Sequence, residues 1–165
     1  MIETTIIKSS DKAYIKAVAE LAEEIWTEHY IPIVGKQKVE YMLANFQSEK
    51  AIQKQITEGL LYYLVMENNI NIGYIAFISR DNSLFISKIY LKSIMRGKGI
   101  GKQLLSFAEN FANEQNLSKL TLYVNKNNLN SIKAYEKFGF IITEQIVKDI
   151  GNGYVMDDYI MTKGA

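Results

Sequence analysis

Residues Arg96–Lys102 read RGKGIGK, which places three glycines and three cations within seven positions. An extended apolar run (Leu84–Leu91) precedes this segment, and an amphipathic helical pattern (Lys102–Gln115) follows it. Glycine lets backbone N–H groups approach a ligand closely, and the N-terminus of a helix offers unpaired donors and partial positive charge. The order of strand, glycine loop and helix therefore predicts an anion site, whose usual occupant is a phosphate.

Two common phosphate-binding motifs do not fit the segment. A Walker A loop needs glycines five positions apart, then Lys and then Ser or Thr, whereas Gly97 and Gly101 are four apart and Gln103 follows Lys102. A dinucleotide-binding fingerprint needs its third glycine three positions after the second, and Lys102 stands at that position after Gly99. A nucleotide-phosphate site is therefore disfavoured, and a flexible basic turn that caps a helix is the alternative to a binding loop.

Apolar spacing near the start of the chain predicts helices. The first helix is expected to begin at a cap, Ser10 or Asp11, and to end before Pro32, because the residue before a proline disfavours helical geometry. Its apolar residues recur at helical intervals, namely Tyr14, Val18, Leu21 and Ile25. Two shorter helices follow, the second of them capped by Ser48 and ended by Gly59.

Strand patterns and two further helices complete the fold prediction. Strands are predicted at Thr4–Ile7, Leu60–Met66, Ile70–Ser79, Leu84–Leu91, Leu120–Val124, Phe140–Lys148 and Tyr154–Lys163, and helices at Lys102–Gln115 and Leu129–Lys137. The strand–helix–strand order across the glycine loop implies a parallel pair joined by a right-handed crossover. Turn signals such as Asn68-Asn69 indicate antiparallel neighbours elsewhere. The fold class is therefore α/β, with a mixed sheet in a single domain over residues 1–165.

Bulk composition excludes several classes of function. The net charge is +1, so no basic field suggests nucleic-acid binding. The chain has no cysteine and one histidine, which removes disulfides and thiol catalysis and gives no basis for a metal site. No apolar run has the length of a membrane span, and Glu3 lies where a signal peptide would carry positive charge. We therefore expect a cytoplasmic protein without metal, nucleic-acid or membrane partners.

A second informative segment, Asn128–Phe140, reads NLNSIKAYEKFGF. Asn128, Ser131 and Tyr135 share one face of the predicted helix, because positions i, i+3 and i+7 lie together. A structural interpretation stays open, in which Asn128 caps the helix, Tyr135 packs in the core and Gly139 ends the helix. The alternative is a functional face that is polar at its start and aromatic at its end.

Together the two segments resemble the GCN5-related N-acetyltransferase (GNAT) superfamily. The first matches the motif Arg/Gln-x-x-Gly-x-Gly/Ala with Arg96, Gly99 and Gly101. The second matches an Asn, a small residue three positions later and Tyr-Glu-Lys-x-Gly-Phe, with Asn128, Ser131, Tyr135, Glu136, Lys137, Gly139 and Phe140. The resemblance covers most of the chain and implies acetyl-CoA as co-substrate. It also implies the GNAT fold, a mixed, mostly antiparallel sheet of about seven strands with a splayed central parallel pair and flanking helices.

The resemblance implies which residues bind acetyl-CoA. Backbone N–H groups of the loop would hold the pyrophosphate, and the backbone of the strand before it would face the pantetheine arm and the thioester. Asn128 would contact the pantetheine arm, and Lys137 would reach a cofactor phosphate. The full implied set is Ile89, Tyr90, Leu91, Arg96, Gly97, Lys98, Gly99, Ile100, Gly101, Lys102, Asn128, Ser131 and Lys137.

Acetyl transfer from a thioester needs a neutral amine, stabilisation of an oxyanion and a proton for the leaving thiolate. The resemblance implies Tyr135 as the acid that protonates the thiolate, a role that suits a phenol protonated at neutral pH. A backbone N–H of strand Ile89–Leu91 would polarise the thioester carbonyl. The glutamate that often serves as base in the superfamily is missing from Leu84–Leu91. Glu28 and His29 are therefore the candidate bases, acting directly or through water.

The acceptor is indicated by an acidic and aromatic cluster at the end of the first helix. The predicted substrate-binding residues are Trp26 and Tyr30 in this cluster and Asp157 in the last strand. Carboxylates and aromatic faces attract a cationic amine. The alternative for the acidic row of Glu20, Glu24 and Glu28 is a solvated helix face with Trp26 in the core.

Three segments, Trp26–Tyr30, Tyr41–Leu43 and Phe46–Ser48, also resemble PaiA-type bacterial members of the superfamily, which are described as spermidine/spermine acetyltransferases. The predicted acceptor is therefore a polyamine, while a protein N-terminus, an amino acid or another small amine stays open. A non-catalytic acyl-CoA-binding regulatory module is the second function left open, because the strand glutamate is missing. A homodimer is also left open.

Overall fold

The computed structural model describes residues 4–8 and 11–165, and at residues 4, 5 and 7 it describes the backbone alone. The strands in this part of the chain are β1 (Thr4–Lys8), β2 (Leu61–Glu67), β3 (Ile70–Arg80), β4 (Ser83–Leu91), β5 (Lys119–Asn125), β6 (Ile141–Gly151) and β7 (Tyr154–Gly164). The helices are α1 (Lys12–Val34), α2 (Lys36–Phe46), α3 (Glu49–Thr57), α4 (Ile100–Glu114) and α5 (Leu129–Phe138), and a 3₁₀ turn (Ser93–Met95) lies between β4 and α4. No helix among the described residues is long and apolar enough to cross a membrane.

The strands form one mixed sheet in the order β1-β2-β3-β4-β5-β7-β6. β4 and β5 are parallel, in register from Ser83 with Lys119 to Ile86 with Leu122. The pairs β1–β2, β2–β3, β5–β7 and β6–β7 are antiparallel. Both parallel strands continue beyond their shared ladder, β4 by five residues to Leu91. The predicted α/β fold with a mixed, mostly antiparallel sheet and a parallel pair is confirmed.

Side-chain caps begin two of the helices. At the start of α1, Asp11 accepts a hydrogen bond of 3.1 Å from the N–H of Tyr14. At the start of α3, Ser48 accepts one of 3.1 Å from the N–H of Ala51. Each cap satisfies a donor that the first turn of a helix leaves without an intrahelical partner. The other predicted cap, Ser10, lies outside the described residues.

The predicted end of the first helix before Pro32 is wrong. α1 includes Pro32 and runs to Val34, and its C-cap is Gly35, whose N–H donates to the carbonyl of Ile31 at 2.9 Å. Proline in a helix removes one backbone donor and disfavours the helical conformation of the residue before it. Here the loss falls in the last turn, and packing of the buried face of α1, which includes Ile25, outweighs this local preference.

The described chain divides into two compact units. The first combines Met1–Ile78 with Lys88–Leu104, and the second combines Ser79–Ser87 with Leu105–Ala165. In the first unit α1 packs on α2, α3 and β2. In the second unit β7 lies between β5 and β6, and Met161 of β7 is fully buried. The first unit carries the glycine loop with the strand end before it, and the second carries the Asn128–Phe140 segment.

A hydrogen-bonded row of polar side chains lies in the interior of the first unit. The hydroxyl of Tyr74 donates to Oε1 of Gln47 at 2.6 Å, and Nε2 of Gln47 donates to the hydroxyl of Tyr62 at 3.1 Å. Tyr62 in turn donates to Oε1 of Gln55. Burial raises the pKa of both phenols above the ordinary tyrosine value, so both stay protonated and donate. Buried networks whose members are all satisfied fix one arrangement of the core.

Lys88 of β4 is packed against this row. Its Nζ lies 5.9 Å from the centroid of the Tyr62 ring, and burial lowers the pKa of Lys88 to about 8. Alternate residues of a strand share a face, so Lys88 lies on the face of β4 that also carries Ile86 and Tyr90. A titratable side chain with a shifted pKa therefore stands directly before the strand end that leads into the glycine loop.

Replacement of Lys88 by methionine should remove part of the pH dependence of folding stability. An unfolded lysine has a pKa near 10.4, and the folded value is about 8. Between these values the unfolded state binds more protons, so stability of the wild type rises with pH. We expect Lys88→Met to be more stable than the wild type near neutral pH, and this gap to narrow as pH rises through about 8 to 10.

Urea unfolding at neutral pH and at about pH 9.5 measures the difference in free energy of unfolding between the variant and the wild type at each pH. Lys50→Met removes an exposed lysine and is the matched control for the loss of one lysine. If Lys88→Met and the wild type differ in free energy of unfolding by the same amount at both pH values, the assigned burial of this ammonium group is contradicted.

Candidate functional site

The glycine loop, Arg96–Lys102, has the backbone that its composition predicts. Gly97 and Gly99 have φ angles of 76° and 82°, a left-handed conformation that glycine adopts readily. A Cβ atom on either residue would have no heavy atom within 4 Å. Conformation rather than crowding therefore requires glycine here, and the space beside both residues is open. Met95 and Ile100 are buried and anchor the loop at each side.

Backbone donors follow directly on these glycines. α4 begins at Ile100, and the N–H of Gln103 donates to the carbonyl of Gly99 at 3.1 Å. The N–H groups of residues 100–102 precede that bond, and the first turn of a helix leaves such donors without intrahelical partners. The three cations of the loop are exposed around them. Donors, helix dipole and positive side chains together fit a phosphate group.

The two candidate bases contact residues that lead into the loop. The hydroxyl of Ser93 donates to the carboxylate of Glu28, and Nη1 of Arg96 lies 3.4 Å from Nδ1 of His29. Nη2 of Arg96 also approaches the carbonyl oxygen of Leu91 at 3.5 Å. The structure therefore brings the end of α1, the end of β4 and the start of the loop together within the first unit.

Aromatic rings join the end of α1 to β4. The ring of Tyr90 lies edge-on to Trp26, with centroids 5.4 Å apart, and the hydroxyls of Tyr30 and Tyr90 are 3.4 Å apart. Tyr74 also packs against Tyr90, at a centroid distance of 5.4 Å. Trp26 is buried, which agrees with the structural alternative for this residue. Tyr30 and Tyr90 are half-buried, so they retain exposed surface that a ligand could contact.

Acidic side chains form an exposed face of α1. The residues of this face are Glu20, Glu23, Glu24, Thr27 and Glu28. The carboxylate of Glu24 lies 3.4 Å from Nζ of Lys92, which offsets one negative charge. The others leave a surface that attracts cations, and a solvated helix face has the same composition.

In the second unit, α5 carries the Asn128–Phe140 motif. Asn128 is buried at the N-cap position, but its side chain makes no hydrogen bond to the first turn. The cap that the structural interpretation assigned to this side chain is therefore absent. Tyr135 is half-buried and packs edge-on against Phe140, at a centroid distance of 5.9 Å. Ser131 is half-buried and Lys137 is exposed.

Asp157, predicted to attract the substrate, has a cation beside it within the same unit. Its Oδ1 lies 2.8 Å from Nζ of Lys126, and that ammonium group also donates to Gln145 at 3.0 Å. This partly exposed ion pair reduces the charge with which Asp157 would attract an amine. Asp158, the next residue, is buried.

The side chains of two residues of β4 are given no role by the sequence analysis. Tyr90 is assigned a role through its backbone alone, and Lys88 is assigned none. Strand alternation was the available signal, because it places both side chains on one face of β4, the face toward which the aromatic residues of α1 pack.

Comparison with known proteins identifies the family. The model of the acetyltransferase (GNAT) family matches residues 16–140. YxbD, an uncharacterized protein of Bacillus subtilis (strain 168), is 28% identical over 89 residues, which are 54% of this chain and 55% of YxbD. The match thus spans about half the length of that curated relative.

Several solved structures are similar, and two of them carry bound ligands related to coenzyme A. The PaiA N-acetyltransferase of Thermoplasma acidophilum, in complex with coenzyme A, has a TM-score of 0.82 and 24% identity, covering 100% of this chain and 99% of that chain. Naa50 of Arabidopsis thaliana, in complex with the bisubstrate analogue CoA-Ac-MVNAL, has a TM-score of 0.55 and 32% identity, covering 62% of this chain and 71% of that chain. The family match includes the glycine loop and the Asn128–Phe140 motif, and the chain belongs to the acetyltransferase (GNAT) family.

Proposed function

We propose that this chain is an acetyl-CoA-dependent N-acetyltransferase that acetylates a primary amine, with residues 1–165 working as one cytoplasmic domain. The observation that carries the proposal is the left-handed glycine backbone that leads into the N-terminus of α4, in a chain of the acetyltransferase (GNAT) family. The family match covers residues 16–140, which include the glycine loop and the Asn128–Phe140 motif.

Acetyl-CoA would be held by backbone groups and cations. The N–H groups of Gly97–Lys102 would receive the pyrophosphate, whose charge the loop cations would balance. Backbone groups of Ile89–Leu91 would face the pantetheine arm and the thioester. Asn128 and Ser131 would contact the pantetheine arm, and Lys137 would reach a phosphate. The space beside Gly97 and Gly99 is open, and the side chain of Asn128 makes no capping hydrogen bond to α5. Both observations fit this assignment.

The reaction joins the amine nitrogen to the acetyl carbon and breaks the bond between that carbon and sulfur. The amine loses one proton, and the released thiolate gains one. Tyr135 would supply the proton to sulfur, since a phenol is protonated at neutral pH and can donate it. A backbone N–H of Ile89–Leu91 would stabilise the negative oxygen that develops during the transfer.

Glu28 or His29 would receive the proton of the amine, directly or through a water molecule. Both lie at the end of α1 and contact residues 93–96, which lead into the loop. Carboxylate and imidazole groups both accept protons at neutral pH. No glutamate is present in β4, which is where such a base often lies in the superfamily.

A polyamine is the acceptor that the charges favour. The exposed face of α1 carries four glutamates, and the half-buried rings of Tyr30, in the same helix, and Tyr90 pack against each other. Carboxylates and aromatic faces both stabilise ammonium groups. The segments Trp26–Tyr30, Tyr41–Leu43 and Phe46–Ser48 also resemble PaiA-type members of the superfamily. The amine terminus of a peptide is the second candidate, because the Arabidopsis protein was solved with a bisubstrate analogue.

An amine panel tests the proposed activity. Release of free thiol from acetyl-CoA is measured with spermidine, with spermine, with lysine and with short peptides that have free N-termini. We expect kcat/KM for the polyamines to exceed the other values by about tenfold or more. Turnover with the peptides but not with the polyamines would identify the amine terminus of a peptide as the acceptor. Tight acetyl-CoA binding without turnover on any amine would favour a regulatory module instead of an enzyme.

Replacing Tyr135 by phenylalanine tests the acid. Loss of the proton donor should lower kcat by roughly 10²- to 10⁴-fold, while acetyl-CoA affinity in calorimetry stays at the wild-type value. Tyr123→Phe is the matched control, because Tyr123 is also a half-buried tyrosine of the second unit and packs on Phe85. Unchanged turnover in Tyr135→Phe would remove this residue from the mechanism.

Replacing Gly99 by alanine tests the loop. Alanine at a φ of 82° strains the backbone and moves the N–H groups beside it. Gly153→Ala is the control, since Gly153 has a φ of 79° with equally open surroundings and belongs to the β6–β7 turn. Both variants should lose similar stability, but only Gly99→Ala should weaken acetyl-CoA binding, by about tenfold or more if one good contact is lost. Equal affinities in the two variants would contradict the loop assignment.

A further inference from the structure

Gly73 of β3 lies closer to the end of β4 than a residue with a side chain could. A Cβ atom on Gly73 would stand 2.3 Å from the carbonyl oxygen of Tyr90 and 2.8 Å from Cδ2 of Leu91. It would also stand 3.2 Å from the Cα of Leu91. The φ angle of Gly73 lies outside the left-handed region. Close approach of two backbones, rather than backbone conformation, is therefore what requires glycine here.

An irregularity of β3 accompanies this contact. The register with β2 passes from the pair Val65 and Gly73 to the pair Met66 and Asn71, so Ile72 is an extra residue in β3. Such a bulge bends the strand and turns its backbone groups. The carbonyl of Ile72 accepts a hydrogen bond of 2.9 Å from the N–H of Lys92, the residue that follows β4. β3 therefore holds the end of β4 at two adjacent positions.

The end of β4 contacts both parts of the candidate site in the first unit. Cδ1 of Leu91 lies 4.0 Å from where a Cβ of Gly101 would stand, and the carbonyl of Leu91 faces Arg96. The ring of Tyr90 packs in the aromatic cluster with Trp26. A shift of these two residues of β4 would therefore move the contacts to the glycine loop and to the cluster at the same time.

We propose that Gly73 is a positioning residue for acetyl transfer, which fixes the backbone of Tyr90 and Leu91 where the thioester and the pantetheine arm bind. This inference rests on the proposed function, in which backbone groups of Ile89–Leu91 face acetyl-CoA. Gly73 itself contacts no reacting atom. Because Gly73 has no side chain, the backbone of β4 can approach β3 more closely than any other residue at this position would allow.

Gly73→Ala is the direct test, with Gly164→Ala as the control. Gly164 is also a strand glycine with a φ outside the left-handed region, and a Cβ there would meet no atom within 4 Å. Kinetics are measured well below the melting temperature of each variant. We expect Gly73→Ala to raise the KM for acetyl-CoA and to lower kcat by roughly 10²-fold, as a displacement of about 1 Å can. Gly164→Ala should keep both parameters within about twofold of the wild type, since it displaces nothing.

The outcomes separate this inference from the proposed function. A wild-type chain that neither binds acetyl-CoA nor acetylates an amine overturns both. An active wild type together with a folded Gly73→Ala variant of wild-type kcat and KM overturns the positioning role alone. A purely structural role would lower the melting temperature and leave the kinetics unchanged.

A second variant covers the case in which Gly73→Ala does not fold. Lys92 has a φ of −55° and a ψ of 143°, which proline accepts, so Lys92→Pro removes the hydrogen bond to Ile72 without a clash of backbone angles. Lys92→Ala is its control, because it keeps that hydrogen bond and removes the ion pair to Glu24. We expect a higher KM for acetyl-CoA in Lys92→Pro than in Lys92→Ala. Equal values in the two variants would overturn the inference.

Discussion

The close approach of β3 to the end of β4 is the constraint on which the first compact unit depends. At this point the carbonyl oxygen of Tyr90 occupies the space that a side chain of Gly73 would need. Protein interiors are close-packed and transmit small displacements, so the contact fixes Leu91, which touches the glycine loop, and Tyr90, which touches the aromatic residues of α1. One glycine thereby sets the relative position of the cofactor-binding and acceptor-binding candidates within this unit.

Local signals made most of the fold predictable. The side-chain caps at Asp11 and Ser48 and the left-handed asparagines between β2 and β3 are devices whose physics lies within a few residues. The same holds for the glycine loop, since the positive φ angles at Gly97 and Gly99 are a property of these residues and of the helix that follows. The parallel pairing of β4 with β5 followed from the order of elements and the handedness rule.

The parts that sequence analysis missed depend on contacts between distant segments. α1 continues past Pro32 because its buried face outweighs a local preference. Gly73 is 17 residues from Tyr90 in the chain, and nothing in a strand pattern distinguishes a glycine that allows close approach from one that only weakens the strand. The ring of Tyr90 joins the aromatic cluster of the site through strand alternation and through the packing of α1. The roles proposed for Tyr135, Glu28 and His29 come from the family resemblance and stay predictions.

Amide chemical shifts offer the most direct measurement of the central claim, that acetyl-CoA binds along the end of β4 and the glycine loop. The ¹⁵N-labelled full chain would be titrated with acetyl-CoA and, separately, with inorganic phosphate. We expect acetyl-CoA to shift the amides of Ile89–Leu91 and Gly97–Lys102 together, with the same saturation curve, and phosphate to shift the loop amides alone. Saturation by acetyl-CoA that leaves both groups of amides unchanged would contradict this binding site.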